Sequence, residues 1–461
     1  ANIVRIGDTR FRIPEAGYQM PDVGVYGVCG LHASTRFNPS STRFNHLQQD
    51  STNNPQPATH NSQSTTPNRL YLHMPRFHSP SRIIVTCSNR LSPYLQSEIE
   101  ELGFKPVRTF KTGVELKGTL LDCIRLNLNL RCASQVLFSV AEFKAFNAND
   151  LYRALVDFPW EDIIAADGYF SISSNVSNDT INNSLFANVK VKDAIVDRFR
   201  NQTGTRPDSG PELDRTVIHL YWKESLAEVF IDTSGETLSK HGYRKIPGKA
   251  PMLESLAAAS LLATKWDRRS PVVNPMCGSG TIAIEAALIA THRKPGLLRG
   301  NYAFMHLVGY EEQWYEAEFA KLEQQVKDVP GLTIIATDIS EDAIQVSKIN
   351  AGIAGVEEYI QFSVCDFEDT PVPESGNGIV YFNPEYGDRL GTEKNLELTY
   401  KRLGDFLKQK CKGYFGYIFT GNLELAKKIG LKPSRRIEFY TSKIDCRLFE
   451  YELYSGTRRK E

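Results

Sequence analysis

The segment VVNPMCGSGT, residues 272–281, joins a short apolar run to a stretch of small and apolar residues with helical periodicity. Val272 and Val273 are typical of a buried strand, and residues 281–291 are typical of a buried helix. Beyond this segment strands and helices alternate, which is the pattern of a parallel doubly wound α/β sheet. We therefore predict such a sheet in a domain spanning residues 267–461.

The elements of this domain follow from the same periodicity. Strands are predicted at 272–273, 332–337, 360–364, 379–382 and 414–419, and helices at 281–291, 311–329, 341–354, 397–409 and 423–429. A last strand at 447–454 alternates polar and apolar residues, so we expect it to pair with 436–440 as a hairpin.

The loop between the first strand and helix contains Gly278 and Gly280. Glycines let the backbone approach a ligand closely, and the helix that follows favours negative charge at its start. A dinucleotide-binding loop would need a third glycine, and Ala283 stands at that position. The loop therefore fits a ligand without pyrophosphate better, although a Gly-x-Gly alone also occurs in ordinary turns.

Two acidic residues follow the next strands of the sheet. Asp338 is well placed to accept hydrogen bonds from two ribose hydroxyls, as acids at this position do in dinucleotide-binding folds. Asp366 can accept the amino group of an adenine, with Phe367 against the ring. Each acid alone is more often a helix cap or a surface charge. Their succession at neighbouring strand ends indicates a nucleoside-bearing ligand.

A fourth strand end carries the sequence Asn383, Pro384, Glu385, Tyr386. The Asn383 carboxamide oxygen and the Pro384 carbonyl can each accept one N–H of a planar amine. The Tyr386 ring offers a stacking face for a flipped-out base. An ordinary Asn-Pro turn after a strand is an equally good interpretation of these residues alone.

Length and composition limit the class of protein. At 461 residues the chain exceeds one hydrophobic core, so two or three domains are expected. Lys+Arg and Asp+Glu number 54 each, so the net charge neither favours nor excludes a nucleic-acid partner. Apolar runs fall short of the roughly 18 residues that span a bilayer. The eight cysteines lack metal-ligand spacing, which argues against zinc and disulfides and favours a reducing compartment.

Residues 1–81 differ from the rest of the chain. They contain no lysine and only four acidic residues, and from Asn38 onward they are rich in Ser, Thr, Asn, Pro and Gln. Such a segment is expected to be disordered, and its Arg-rich, acid-poor composition is also typical of organelle transit peptides. We therefore predict a leader, with a chloroplast or mitochondrial location if it is a transit peptide and a cytoplasmic one otherwise.

Residues 82–235 are predicted to form a separate α+β region. Strands are expected at 82–87, 110–117, 136–143, 169–175, 216–222 and 226–232, and helices at 91–102, 120–130 and 187–201. Lys190, Lys192 and Arg198 lie on the last helix among acidic residues, so charge alone favours a solvated face. Residues 236–266 form a connector with Arg244 and Lys245, followed by a helix that Pro251 is expected to open.

At this point the chain resembles a known family, the class I S-adenosylmethionine-dependent methyltransferases, and within it the THUMP-domain ribosomal RNA guanine-N2 methyltransferases of the RlmL type. The resemblance extends from about Ile83 to Tyr454 and covers one methyltransferase domain, without the second one fused in some members. Its most specific segments are residues 187–197, 242–244 with 250–254, 274–281, 295–299 and 383–390.

The resemblance implies a Rossmann-like methyltransferase sheet preceded by a ferredoxin-like and THUMP region that binds RNA. It also implies S-adenosylmethionine as cofactor, with no metal. The implied cofactor-binding residues are Asn274, Cys277, Gly278, Ser279, Gly280, Thr281, Asp338, Asp366 and Phe367. The implied catalytic residues are Asn383, Pro384 and Tyr386, and the implied RNA-binding residues are Lys190, Lys192, Arg198, Arg244 and Lys245.

In this interpretation Asn383 and Pro384 orient the N2 lone pair of a guanine toward the methyl donor, so positioning supplies most of the acceleration. Two residues depart from the family pattern. Glu385 replaces a second proline, which removes one fixed φ angle and adds a charge near the base. Asn274 stands where an aspartate is common.

Three hypotheses about the function are compatible with the sequence. The first is methylation of large-subunit ribosomal RNA, and the second is the same chemistry on transfer RNA. The third is an RNA-binding assembly factor whose methyltransferase domain does not turn over. A DNA or protein amine fits the Asn383 segment alone, but the THUMP-like region argues against it. The oligomeric state is left open.

Overall fold

A computed structural model describes residues 77–181, 183–246, 251–374, 376–386, 393–441 and 444–454, together with three short strands. Residues 1–64 form a unit of their own, in which Val4–Ile6 pairs antiparallel with Thr9–Phe11. Apart from the three short strands, residues 1–76 of the predicted leader lie outside the described residues, as do the segments 247–250 and 387–390. The helices and the remaining strands lie in the second unit, residues 65–461.

The N-terminal part of this unit is an α+β structure. Its elements are β1 (Ser81–Thr86), α1 (Ser92–Glu101), β2 (Arg108–Phe110), β3 (Gly113–Gly118), α2 (Leu120–Asn129), β4 (Gln135–Lys144), α3 (Ala148–Val156), β5 (Tyr169–Ser177), α4 (Ser184–Thr203), β6 (Asp208–Ser209), β7 (Thr216–Lys223) and β8 (Leu226–Asp232). The strands form one sheet in the order β2-β3-β1-β4-β8-β7-β5-β6, and Tyr71–Leu72 also pairs with β4. Strand β4 pairs antiparallel with both β1 and β8, so the two halves of the region share one sheet.

Three predicted elements differ from those observed. The strand predicted at 110–117 is interrupted by a turn at Lys111 and Thr112, so that β3 starts only at Gly113 and pairs with β2 as a hairpin. Helix α4 already begins at Ser184, where the Asn183 side chain accepts a hydrogen bond from the Leu185 amide. The helix expected from Pro251 begins only at Glu254.

The C-terminal part confirms the predicted doubly wound sheet. Its elements are α5 (Glu254–Leu262), β9 (Val272–Pro275), α6 (Thr281–Ala290), α7 (Glu312–Gln325), β10 (Ile334–Asp338), α8 (Glu341–Ala354), β11 (Ile360–Val364), β12 (Ile379–Phe382), α9 (Glu393–Lys410), β13 (Phe415–Thr420), α10 (Leu423–Lys428), β14 (Arg435–Thr441) and β15 (Ile444–Glu452). The strand order is β11-β10-β9-β12-β13-β15-β14. The first five strands are parallel, and β15 is antiparallel to both of its neighbours. The predicted terminal hairpin is therefore confirmed.

Helix α6 is apolar on all sides and buried throughout, as its sequence predicts. It contacts the sheet as well as α5 and α8, and its single acidic residue, Glu285, is fully buried. Among the described residues, helices long and apolar enough to cross a membrane are absent.

The two parts of the unit are joined through a buried histidine. Both nitrogens of His241 contact acceptors: Nδ1 lies 2.7 Å from Glu285 Oε1 and Nε2 lies 2.9 Å from the Arg131 carbonyl oxygen. Two acceptors are satisfied only when both ring nitrogens carry protons, so the geometry favours the imidazolium form. Burial lowers the pKa of His241, but the Glu285 charge and these hydrogen bonds outweigh it and hold the pKa above its ordinary value.

This pKa shift predicts a pH-dependent stability. Because the folded-state pKa is raised, the contribution of His241 is fully present below the unfolded-state pKa of about 6.5 and is lost as pH rises through the higher folded-state value. We expect the free energy of unfolding to fall with pH in that window by up to about 1.4 kcal/mol per pH unit. Urea titrations between pH 6 and 9 measure it, and His241→Gln should remove this slope. An unchanged slope in that variant would assign the effect to another group.

Candidate active site

Four neighbouring strands end at the same edge of the sheet. The order β11-β10-β9-β12 aligns Asp366, Asp338, the 276–280 loop and Asn383 along that edge. The chain order reverses between β9 and β12, and ligands of open α/β sheets bind in the crevice at such a switch point. The residues predicted from separate segments are thus brought to one place.

The glycine loop is held in its shape from helix α8. Gly278 and Gly280 have φ angles of +57° and +80°, which are left-handed values that favour glycine. A Cβ on Gly280 would lie 3.0 Å from the Ser347 side chain, whereas at Gly278 the space is open. The Ser347 hydroxyl donates to the Gly278 carbonyl at 2.8 Å, and Asn350 donates to the Ser279 carbonyl at 3.2 Å.

Ser347 and Asn350 were missed by the sequence analysis. Both are fully buried on α8, and they lie three residues apart, which places them on the same face of the helix. A pair of polar residues on the buried face of a helix is a signal for a supporting role, because buried polar groups require partners. Here the partners are the loop carbonyls.

Asp338 is oriented by two backbone amides. Its Oδ2 accepts a hydrogen bond from the Gly278 N–H at 3.0 Å, and its Oδ1 accepts one from the Ser340 N–H at 3.0 Å. An ionised carboxylate has about four acceptor positions, so it retains capacity for two hydroxyl donors. The carboxylate therefore sits against the glycine loop with room for a diol.

Asp366 lies at the next strand end and is engaged with helix α9. Its Oδ1 accepts from the Glu368 amide at 3.0 Å and from Arg402 at 2.8 Å. Burial raises the pKa of Asp366, but these bonds outweigh burial and lower it, so the group is ionised at neutral pH. Phe367 is 6% exposed, and the Arg402 guanidinium lies 4.8 Å from its ring centroid. The ring is a core side chain covered by Arg402, which argues against its predicted contact with a ligand.

Asn274 and Cys277 lie at the base of the loop. Asn274 donates to the Tyr381 carbonyl at 2.9 Å, which ties β9 to β12, and its Oδ1 is buried with no hydrogen-bond partner among the described residues. Burial, followed by the Asp338 charge, raises the pKa of the Cys277 thiol to about 12. A thiol at this pKa stays protonated, so Cys277 is not a nucleophile. Ser279 and Thr281 are also buried, and their hydroxyls lie 3.3 Å apart.

The segment after β12 presents an acceptor without a donor. The Oδ1 atom of Asn383 is buried and has no hydrogen-bond partner among the described residues, and Pro384 beside it is buried. The half-buried Tyr386 ring lies across Gly421, where a Cβ would come within 3.0 Å of a ring carbon. Burial first, and then Cys446, raises the pKa of Tyr386, so the phenol is neutral. The orphaned oxygen and the open space at Gly278 fit an amine substrate beside a nucleoside-type cofactor.

Tyr400 of α9 supports this segment and was not predicted. Its hydroxyl donates to the Glu385 carbonyl at 3.3 Å and lies 2.8 Å from the Thr420 hydroxyl. Tyr400 is fully buried, so its hydroxyl is fixed in place by packing. It thereby connects the backbone next to Asn383 with β13.

We expect Tyr400→Phe to lower the kcat of the reaction at this site by about fivefold, because one buried hydrogen bond contributes about 1 kcal/mol. The KM for the cofactor should stay within about twofold, since Tyr400 bonds to the Glu385 side of the site. Steady-state kinetics separates the two constants. Equal losses in kcat and in cofactor binding would show general disruption instead of positioning.

The predicted RNA-binding residues divide into two groups. Lys190, Lys192 and Lys245 are partly or fully exposed. Arg198 instead forms a bidentate pair with Glu161, at 3.1 and 2.6 Å. The Arg244 side chain is 8% exposed. It donates to Glu254 at 2.7 Å and to the Met252 carbonyl at 2.7 Å. The bond to Met252 also holds the segment before α5 extended. Arg244 therefore has a structural role in the connector, and its RNA contact stays a prediction.

Comparisons with known proteins agree with this architecture. Three family models match in order along the chain: the RlmL ferredoxin-like domain at residues 82–137, the THUMP domain at 145–232, and the RMKL-like methyltransferase domain at 241–450. The three matches cover most of the described residues.

Curated relatives carry the name ribosomal RNA large subunit methyltransferase K/L. The protein of Syntrophotalea carbinolica is 34% identical over 386 residues, which is 81% of this chain and 54% of the relative. The protein of Psychromonas ingrahamii is 34% identical over 370 residues, which is 79% of this chain and 49% of the relative. The chain thus spans about half the length of these relatives.

Solved structures include two near matches. A putative methyltransferase, SMU.472, complexed with SAH, has a TM-score of 0.74 and 26% identity, and the match covers 83% of this chain and 99% of that one. A possible methylase from Clostridium difficile 630 has a TM-score of 0.73 and 28% identity, covering 83% of this chain and 100% of that one. The fold therefore extends across both parts of the described unit.

Proposed function

We propose that this chain, which belongs to the RlmL-like THUMP-domain methyltransferases, transfers a methyl group from S-adenosylmethionine to the exocyclic N2 amine of a guanosine in RNA. Large-subunit ribosomal RNA is the proposed substrate, in line with the name of the curated relatives. The observation that carries the proposal is the buried Oδ1 of Asn383 at the switch point of the sheet, which has no hydrogen-bond partner in the part of the chain that the structure describes. A carbonyl oxygen in that state requires an N–H donor, and an exocyclic amine supplies one.

The cofactor would be held by the residues at the other strand ends. The backbone at Gly278 has open space above it for the methionine part, and Asp338 beside it would accept the two ribose hydroxyls. Asp366 would accept the adenine amine with the oxygen lone pairs that Arg402 and Glu368 leave available. The SAH-bound structural neighbour supports this choice of cofactor.

When bound, S-adenosylmethionine supplies an electrophilic methyl group. The task of the chain is to orient a weak nucleophile, because the guanine N2 lone pair is delocalised into the ring. Asn383 Oδ1 and the Pro384 carbonyl would each accept one N–H, which fixes the plane of the amine and directs its lone pair toward the methyl carbon. Tyr386 would stack on the base, which must leave its helix to enter the site.

Proton removal needs no dedicated base in this arrangement. The nitrogen becomes strongly acidic once it is alkylated, so water or the Asn383 oxygen can receive the proton after transfer. The neutral phenol of Tyr386 and the protonated thiol of Cys277 are poor bases at pH 7. Acceleration would come mainly from positioning, which can supply about 7–11 kcal/mol in favourable cases.

RNA would be bound by the THUMP region and its sheet. The match to the THUMP model covers helix α4, on which Lys190 and Lys192 are partly exposed. Lys190 also lies 5.7 Å from the Phe186 ring centroid, which gives the helix an aromatic and cationic surface of the kind that binds single-stranded RNA.

The test uses the full chain, labelled S-adenosylmethionine and two transcripts of the same rRNA sequence. One transcript contains guanosine, and the other contains inosine, which lacks the 2-amino group. We expect label only in the first, with N2-methylguanosine found by mass spectrometry of the digested RNA. Transfer to the inosine transcript, or methylation of adenosine, would contradict the proposal.

The same experiment separates the other candidates. A transfer RNA transcript that is methylated in preference to rRNA would favour the tRNA alternative, which shares the Asn383 chemistry. Binding of cofactor and RNA without methyl transfer would favour an assembly factor. The change from proline to Glu385 is the observation behind that last candidate, yet the Glu385 carbonyl is held by Tyr400 and its side chain is exposed.

A further inference from the structure

A cavity of about 280 Å³ lies between the ferredoxin-like part and the methyltransferase part of the unit. Helix α1 contributes Glu98 and Glu101 to its lining, and the segment after α6 contributes His292 and Lys294. Arg268 lines it as well. Helix α6 starts at the cofactor loop and has 10 residues, so the cavity lies about 15 Å from that loop along the helix axis. It is therefore separate from the methyl-transfer site.

Three cations, Arg131, Arg268 and Lys294, line the cavity together with two acids. Neither Lys294 nor Arg268 forms an ion pair with a carboxylate among the residues that the structure describes. Burial, followed by the charge of Arg131, lowers the pKa of Lys294. Burial and four nearby cations likewise lower the pKa of His292, so the imidazole is neutral at pH 7. Cations so close together repel one another unless an anion lies between them.

Arg131 adds a buried donor to the same cavity. It is 4% exposed, and its Nη2 donates to the carbonyls of Leu288 and Arg293 at 3.0 and 2.8 Å. Its Nη1 is buried without a hydrogen-bond partner among the described residues. A buried guanidinium donor without an acceptor costs about 1–3 kcal/mol, more when it is charged, so its retention points to an acceptor.

The two acids of the lining offset these cations only in part. Burial and the charge of Arg131 lower the pKa of Lys294 more than the charges of Glu98 and Glu101 raise it. The oxygens of Glu98 accept the backbone N–H groups of Arg131 and Cys132 at 3.0 and 2.9 Å, and Glu101 is exposed at the end of α1. The buried Glu285 also acts on Arg131, but it is hydrogen-bonded to His241. Positive charge therefore remains in excess around the cavity, and Lys327 acts on His292 from nearby.

We propose that this interdomain cavity binds a phosphoryl oxyanion, which accepts hydrogen bonds from Arg131 Nη1, Lys294 and Arg268. The phosphoryl group can belong to free phosphate or to the backbone of the bound RNA. Either way the anion would join the segment after α6, which carries Lys294, to the segments that carry Arg131 and Arg268, and so stabilise the arrangement of the two parts. Guanidinium and ammonium groups together are the usual protein donors to phosphate.

The test compares the thermal unfolding of the full chain in inorganic phosphate with that in chloride of equal ionic strength. We expect phosphate to raise the Tm, and Lys294→Gln to raise the Kd for phosphate at least tenfold. The control Lys427→Gln removes an exposed lysine of α10 and should leave the Kd unchanged. Lys294→Gln should fold, because it removes a partly buried charge that lacks an acidic partner. Arg268→Gln is the second variant and should also raise the Kd for phosphate.

RNA binding distinguishes the two sources. If the anion is an RNA phosphate, the slope of log affinity against log salt should fall by about 1 in Lys294→Gln and stay unchanged in Lys427→Gln. If it is free phosphate, RNA affinity stays unchanged while the phosphate effect on Tm is lost. The proposal is overturned if phosphate and chloride give the same Tm and the RNA slope is unaltered. Equal phosphate stabilisation of wild type and both cavity variants would also overturn it.

Discussion

Replacing Asn383 by alanine is expected to lower kcat for RNA methylation by about a hundred- to thousandfold, with little change in cofactor affinity. Asn383 Oδ1 is a buried acceptor with no partner among the described residues, so its proposed bond to the substrate amine exists only in the complex. Loss of one preorganised polar contact at a reacting group typically costs about 2.7–4 kcal/mol of transition-state stabilisation. Single-turnover rates with saturating RNA and cofactor measure the chemical step directly.

Two further variants make this result specific. Asn383→Asp keeps an acceptor oxygen at the same place and should retain more activity than the alanine variant. Asn149→Ala removes an exposed asparagine at the start of α3 and should behave as wild type. If Asn383→Ala kept full activity, the segment after β12 would be an ordinary turn and the amine would be held elsewhere.

Periodicity predicted the doubly wound domain well because its strands are short, apolar and separated by helices with clear amphipathic or buried patterns. It failed at a turn and at a helix start. The turn at Lys111 and Thr112 divides a predicted strand into a hairpin, which the alternation over residues 110–117 does not reveal. Helix α5 starts late because Arg244 binds the Met252 carbonyl and Glu254, and that contact belongs to tertiary structure.

The sequence predicted at which strand ends the site lies, but it did not predict which side chains contact one another there. Parallel strands bring their carboxyl ends together, so Asp338 and Asn383 could be placed at one edge from order alone. Sequence could not tell that Arg402 covers Phe367, or that Tyr400 holds the Glu385 carbonyl, because both contacts depend on how α9 packs against the strand ends. Charged residues were the least predictable, since Arg244 looked like a surface cation and is a buried partner of Glu254.

Asp338→Ala is expected to raise the Kd for S-adenosylmethionine by about a hundredfold or more. The rate of the fully loaded enzyme should fall much less. Two hydroxyl bonds to a carboxylate are worth about 1.5–3 kcal/mol each. The variant also removes the acceptor of the Gly278 amide, so the loop loses a contact at 3.0 Å that keeps it in its left-handed shape. Calorimetric titration with S-adenosylhomocysteine measures the affinity without turnover.

The matched control for this variant is Asp167→Ala, which removes an exposed acid in the THUMP region and should leave cofactor affinity unchanged. Asp338→Asn separates the two contributions, because its carboxamide oxygen can still accept from Gly278 but the charge is gone. We expect an intermediate affinity for it. An affinity equal to wild type in both Asp338 variants would mean that the ribose is bound at another strand end, and Asp366 would then be the acid to test.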